Sequence, residues 1–346
     1  MMQRLPVAIL MLLLSLVASA QGDTSYYTNP ILSSGADPWV VKHEGWYYYC
    51  GGMGAGVGVS KSRSLHQIQP LKKVWSAPAK GAWNTTCIWA PELHFWQGKW
   101  YIYYAGGYEG PPFIHQKTGV LESATSDAMG AYIDKGMLFT GDTLGNWESN
   151  RWSIDLTLFE HRGQLYAVWS GWEEKETTDK TQQHLYIAKM ENPWTISSGR
   201  VKISSPDSAY EQGELPLNEG PQVLKHGDDV FIVYSCGQSW LDTYKLAYLR
   251  LNRPDADLLN ASNWTKGAKP LFEGTADVHG VGHACFTTSP DDTEHYIYYH
   301  TKKEKTPGWK RDVRLQKFTF DASGLPILGK PIPEGIRMNL PSGSKQ

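Results

Sequence analysis

Residues 91–107 read PELHFWQGKWYIYYAGG. Apolar Leu93 and Phe95 alternate with polar neighbours, Gln97-Gly98 makes a tight polar turn, and Trp100–Tyr104 forms a strongly aromatic run. Period-two alternation broken by a glycine turn is the pattern of a β-hairpin. The same phrase returns four more times, as ADPWVVKHEGWYYYCGG from Ala36, IDLTLFEHRGQLYAVWSG from Ile154, EGPQVLKHGDDVFIVYSCG from Glu219 and HACFTTSPDDTEHYIYYH from His283. Taking Asp37, Glu92, Asp155, Glu219 and His283 as the leading polar residues, the copies lie 55, 63, 64 and 64 residues apart. That interval is the scale of a propeller blade. Further β-like runs follow each copy, including Gly56–Val59, Leu185–Ala188 and Lys245–Leu249. Each unit thus supplies about four strands, the content of one blade.

The predicted fold class is therefore all-β, a five-bladed β-propeller. Long 3.6-residue periodicity is absent, so helices are not expected. A pair of β-sandwiches would explain the strands but not five equivalent phrases. Tyr26–Leu32 and Pro326–Pro333 are the candidates for closing the ring, and Asp142–Trp152, Ser204–Leu217 and Lys302–Arg311 are longer loops able to wall a pocket.

Residues 1–20, MMQRLPVAILMLLLSLVASA, carry a basic start, a short apolar run and a small-residue end. These are the marks of a secretory signal peptide, with cleavage before Gln21 and export to the periplasm or the medium. The expected organisation is signal peptide 1–20 and a single propeller catalytic domain over 21–346. The apolar run is too short to span a bilayer, so no membrane insertion is expected after cleavage. With 33 basic against 35 acidic residues, nothing favours nucleic acid as a partner. The 15 Trp and 19 Tyr suit half-buried strands, and exposed ones suit the apolar faces of sugar rings. Four cysteines, Cys50, Cys87, Cys236 and Cys285, lack zinc-like spacing and are expected as buried free thiols.

In a propeller the first strand of each blade lines the central channel, so the five leading residues should converge at its mouth. Four acids and a histidine brought together are costly to desolvate unless function requires them. Hydrolysis of a glycoside uses such a set. One carboxylic acid protonates the leaving oxygen, a second carboxylate activates water or attacks the anomeric carbon, and a third can keep the acid protonated.

The ordered motifs Asn29-Pro30, Ala36-Asp37-Pro38, Trp89-Ala90-Pro91-Glu92-Leu93, Ser153-Ile154-Asp155, Asn218-Glu219-Gly220-Pro221, Gly282-His283 and Arg314 ahead of Gly324-Leu325-Pro326 carry a resemblance. Over nearly the whole mature length the chain resembles glycoside hydrolase family 43. The resemblance implies hydrolysis with inversion, Asp37 as general base, Glu219 as general acid and Asp155 tuning and orienting the acid. It implies that no cofactor is required, and it places His283 in the channel, contacting substrate or an ion, calcium in some members. Arg314, or Arg311 close by, would contact substrate. Trp89 shapes the pocket and Glu92 is a further contact candidate. Trp39 and Trp169 are pocket-aromatic candidates whose default is core packing. NEGPQVLK, GHACFTTSPDD and MENPWTISSG look most like the exo-acting α-L-arabinofuranosidases, with arabinose-containing polysaccharide or oligosaccharide as partner. β-Xylosidases, galactan- or galactofuranoside-cleaving members and a non-catalytic carbohydrate-binding propeller are the alternatives. A fructan hydrolase would use other acidic motifs. Ala284 departs from the Asn common after the histidine. Sugar, linkage and oligomeric state are not legible in the sequence.

Overall fold

Each aromatic phrase forms the first hairpin of an antiparallel sheet. A computed structural model of the chain describes residues 26–141, 143 and 149–344. The signal peptide expected over 1–20 lies outside the described residues, as does part of the Asp142–Trp152 loop. Five sheets follow in chain order, and within each the strands pair in sequence order. Blade 1 comprises Trp39–His43, Trp46–Gly52, Gly56–Ser62 and Lys72–Ser76. Blade 2 comprises Thr86–Trp96, Lys99–Gly107, Lys117–Ser123 and Tyr132–Met137. In blade 3, Ser153–His161, Gln164–Gly171 and His184–Asn192 are followed by Thr195–Ile196 and Val201–Ser204, both paired to the third strand. Blade 4 is Asn218–His226, Asp229–Cys236, Lys245–Leu251 and Trp264–Lys266, and blade 5 is His279–Thr288, His295–Lys302, Arg311–Phe320 and Pro326–Ile327. The fold is all-β and five-bladed, with no α-helix among the described residues.

The aromatic second strands explain why the blades pack. Their side chains alternate between the two faces of a sheet, so each strand feeds two interfaces. One apolar cluster fills each gap. Cys50, Trp100 and Tyr104 lie between blades 1 and 2, and Tyr103, Leu158 and Trp169 between blades 2 and 3. Val168, Ile232 and Tyr234 join blades 3 and 4, while Phe231, Ile297 and Tyr299 join blades 4 and 5. Val40, Tyr49, Tyr298 and Leu315 close the ring between blades 5 and 1. Burying one such large side chain contributes roughly 1.5–3 kcal/mol.

Closure does not exchange a strand between the chain ends. All four strands of blade 5 come from the last part of the chain. The N-terminal segment straps across instead: the Asn29 side chain donates to Leu315 O (3.0 Å) and accepts from Leu315 N (2.9 Å). Tyr26–Tyr27 pairs with Met338–Asn339, beyond the expected Pro326–Pro333 run, whose first two residues form the outer strand of blade 5. All four cysteines are free thiols, and Cys87 is half-buried rather than buried.

Candidate active site

The leading residues of the five phrases are not all structurally equivalent. In blades 2 to 5 the inner strand carries one extra residue against its neighbour, between Trp89 and Glu92, Ile154 and Thr157, Glu219 and Gln222, and Gly282 and Cys285. This is a β-bulge. Its first residue takes the left-handed conformation in every case: Ala90 (φ 41°), Asp155 (53°), Gly220 (56°) and His283 (44°), with Asp37 (49°) matching them at the start of blade 1. Asp37, Asp155 and His283 therefore occupy one repeated position, and Ala90 and Gly220 fill it in the other blades. Glu219 sits one residue before its bulge and Glu92 two residues after the corresponding one. Left-handed backbone is unfavourable for residues with a Cβ, so its persistence at Asp37, Asp155 and His283 marks a constrained rim.

Asp37 sits among cations and imidazoles. Its carboxylate oxygen lies 3.3 Å from Arg311 Nη1, 3.5 Å from His283 Nδ1 and 3.2 Å from His300 Nδ1, and its backbone nitrogen lies 3.2 Å from the same His300 nitrogen. The side chain still presents 27% of its surface to solvent. Burial opposes its charge, yet His283, the hydrogen bond to His300 and the Arg311 guanidinium outweigh it and hold the carboxyl well below the usual carboxylate range. Burial in turn brings His300 down to about 4, so its imidazole is neutral near pH 7.

Glu219 has the opposite environment. It is 7% exposed, and its Oε1 accepts from the Tyr244 hydroxyl at 2.9 Å. Burial, with the Asp37 charge adding to it, raises its pKa to about 7 against the lowering influence of Tyr244 and Arg311. Asp155, 5% exposed, accepts from the Gly220 N–H at 2.9 Å. Burial first, then the charges of Glu219 and Asp37, raise it as well. Burial and a neighbouring carboxylate charge disfavour ionisation of both groups. The site thus sets a water-facing carboxyl held below the usual carboxylate range against a buried pair pushed above it, a contrast suited to acid–base hydrolysis.

Tyr244 and His300 were not legible as site residues. His300 lies near the end of the aromatic second strand of blade 5, and Tyr244 comes from the connection after Cys236, outside any repeated phrase. Their rings stack at 5.5 Å, and a Cβ on Gly282 would fall 2.2 Å from Tyr244 Cε1. Gly282→Ala is expected to displace a ring that cannot yield, at a cost of about 1–3 kcal/mol. A thermal melt and an activity assay would check this; an unchanged melting temperature would show that the ring can move.

The other residues singled out in the sequence divide between site and core. Arg314 points away from Asp37. It is buried against Asp312 (3.0 Å), Thr301 (3.1 Å) and the Ile332 carbonyl (3.0 Å). Arg311, three residues earlier on the strand and so on the other face, is the guanidinium that reaches the site. Glu92, 2% exposed, lies deeper, accepting from Gln222 and facing His94 at 3.1 Å. Trp169 is fully buried between blades 2 and 3, and Trp39 donates to the Leu93 carbonyl while packing on His94. Trp169 is a core residue, and Trp39 is half-buried at the edge of the core. Trp89 is half-buried on the rim, edge-on to Phe113 at 5.0 Å.

Calcium takes six to eight oxygen ligands. Among the described residues no group of three or more His, Cys, Asp or Glu is placed to hold a metal ion, and His283 turns Nδ1 toward Asp37. The residues do not fit a protein-built calcium site at His283.

A model of the glycosyl hydrolases family 43 matches residues 27–326. An extracellular exo-α-(1→5)-L-arabinofuranosidase of Streptomyces avermitilis is 32% identical over 324 residues, covering 90% of this chain and 64% of that relative. The chain therefore spans slightly under two thirds of that relative's length. A relative of the same description from Streptomyces chartreusis is 30% identical, covering 84% of this chain and 86% of its own length. A crystal structure of an α-L-arabinofuranosidase from Lactobacillus brevis superposes with a TM-score of 0.81 at 27% identity, covering 90% of this chain and 98% of that one.

Proposed function

The chain belongs to glycosyl hydrolase family 43, and from that premise we propose that it is an exported, inverting exo-glycosidase. It releases α-L-arabinofuranose from side chains of plant polysaccharide or from oligosaccharides. The observation that carries the chemistry is the contrast between Asp37 and Glu219. Asp37 is charged and partly open to water, so it takes the proton of the attacking water. Glu219 is buried with its pKa pushed up to about 7, so it is the group that delivers a proton to the leaving oxygen. Asp155 accepts from the Gly220 N–H and so orients the turn that carries Glu219. Arg311 and His283 hold Asp37 ionised and in place.

The choice of sugar is supported by the names of the relatives, four of which are arabinofuranosidases at 30% identity or more. Export is supported by the leader-like residues 1–20 and by two relatives described as extracellular. No described helix is long and apolar enough to cross a membrane.

The test compares hydrolysis of 4-nitrophenyl α-L-arabinofuranoside, β-D-xylopyranoside and β-D-galactofuranoside, with the first-formed anomer read by NMR. The expected result is preference for the arabinofuranoside with release of the β-anomer. Preference for another sugar would move the substrate, and release of the α-anomer would remove the base role from Asp37. The pH profile is a second readout. Activity needs Asp37 ionised and Glu219 protonated, so kcat/KM should fall as pH rises through about 7. Tyr244→Phe removes a hydrogen bond that favours ionised Glu219, and should move that alkaline limb to higher pH.

A further inference from the structure

Two tryptophans on the rim belong to neither the core nor the carboxylate set. Trp309 is 62% exposed, the most open large apolar side chain among the described residues, and Trp240 is half-buried beside it, with ring centroids 5.4 Å apart. An isolated exposed aromatic needs no explanation. This pair does, because the loops that carry it are built to hold it. Lys302 is only 3% exposed, and its ammonium donates to three backbone carbonyls: Trp240 (2.7 Å), Thr306 (2.9 Å) and Gly308 (2.9 Å). The Gly308 N–H donates to the same Trp240 carbonyl at 2.9 Å. A buried cation whose three donors are all used ties the connection 237–244 of blade 4 to the connection 303–310 of blade 5.

Those two connections also lead straight to the reacting groups. Trp309 packs under the Arg311 guanidinium, 5.1 Å from ring centroid to Cζ, and Arg311 touches Asp37. Trp240 shares its connection with Tyr244, which touches Glu219. The aromatic pair is thus tied to Asp37 through Arg311 and to Glu219 through the connection that carries Tyr244, and a leaving group departs from beside the general acid.

We propose that Trp309 and Trp240, locked by Lys302, form a platform on which the sugar ring of the leaving group stacks. The ligand class is a furanose or pyranose ring at the first position beyond the scissile bond, presenting its apolar C–H face to the Trp309 ring. Lys302 is a positioning residue for this platform. A pre-set aromatic surface contributes contact without the ordering cost of a mobile loop. This inference rests on the arabinofuranoside reading given above.

The test uses the full chain and two substrates that share the α-L-arabinofuranosyl group. One, α-1,5-linked arabinobiose, has a sugar as leaving group; the other, α-L-arabinofuranosyl azide, has none. Trp309→Ala is expected to lower the ratio of kcat/KM on the biose to kcat/KM on the azide about tenfold, the size of one aromatic stacking contact. Trp309→Phe should recover most of that ratio. A ratio unchanged in Trp309→Ala would overturn the platform, including the case in which both rates fall together because Trp309 acts only through Arg311. Wild-type protein silent on both substrates would overturn the reading of the site itself, and the platform with it.

Discussion

Glu219→Gln is expected to cut turnover of arabino-oligosaccharides by about 10²–10⁴-fold, the range supplied by a positioned general acid. The loss should shrink on a glycoside whose leaving group departs without a proton, such as a dinitrophenolate, because the missing step is then not needed. Gln keeps the size of Glu and an oxygen for the Tyr244 hydroxyl, so the fold has no reason to change. Stability supplies an independent check with a defined sign. An unfolded glutamate loses its proton near about pH 4.3, whereas Glu219 keeps its proton to about 7. Between those values the folded chain binds more protons than the unfolded one, so this group lowers stability as pH rises. Gln carries no such penalty, and the variant should melt at or above the wild-type temperature at pH 8. Equal activity losses on good and poor leaving groups would remove the acid role from Glu219.

The architecture was legible because five copies of one hydrophobic phrase demand five equivalent sheets, and the aromatic second strands demand two buried faces. The site was legible only in part. Aligning the copies on their first polar residue treated Glu92 and Glu219 as equivalents of Asp37. The ladder registers show instead that the repeated position is a left-handed bulge residue, occupied by Ala90 and Gly220 in those blades. A one-residue bulge does not disturb the apolar frame, so a pattern read from that frame cannot place it. Arg311 and Arg314 posed the same difficulty on one strand. Only the direction of the side chains decides that Arg311 meets Asp37 while Arg314 is held by Asp312. Tyr244 and Trp240 come from a connection with no repeat signal at all; Tyr244 meets Glu219 within blade 4, and Trp240 meets Trp309 only once blades 4 and 5 have packed.

Asp37→Asn should lower activity by about 10²–10⁴-fold on every substrate, including those with good leaving groups, because the attacking water loses its base whatever departs. That insensitivity separates it from Glu219→Gln. The stability effect should also have the opposite sign. The folded Asp37 carboxyl titrates well below the value of about 3.9 expected in the unfolded chain, held there by His283, His300 and Arg311 against its burial. Across that interval the unfolded chain binds more protons, so the group contributes stability that is complete above the unfolded value and lost as pH falls through the folded one. Removing the charge leaves the Arg311 guanidinium, only 10% exposed, facing a neutral amide. Asp37→Asn is therefore expected to melt below wild type at pH 7, with the difference narrowing in strong acid, while Glu219→Gln melts at or above it. One fold that is weakened by neutralising its base and unharmed by neutralising its acid is a fold in which the two carboxyls are held in opposite charge states. Melting curves of both variants at pH 7, compared with wild type, would show whether that is so, and a shared direction of change would break the assignment.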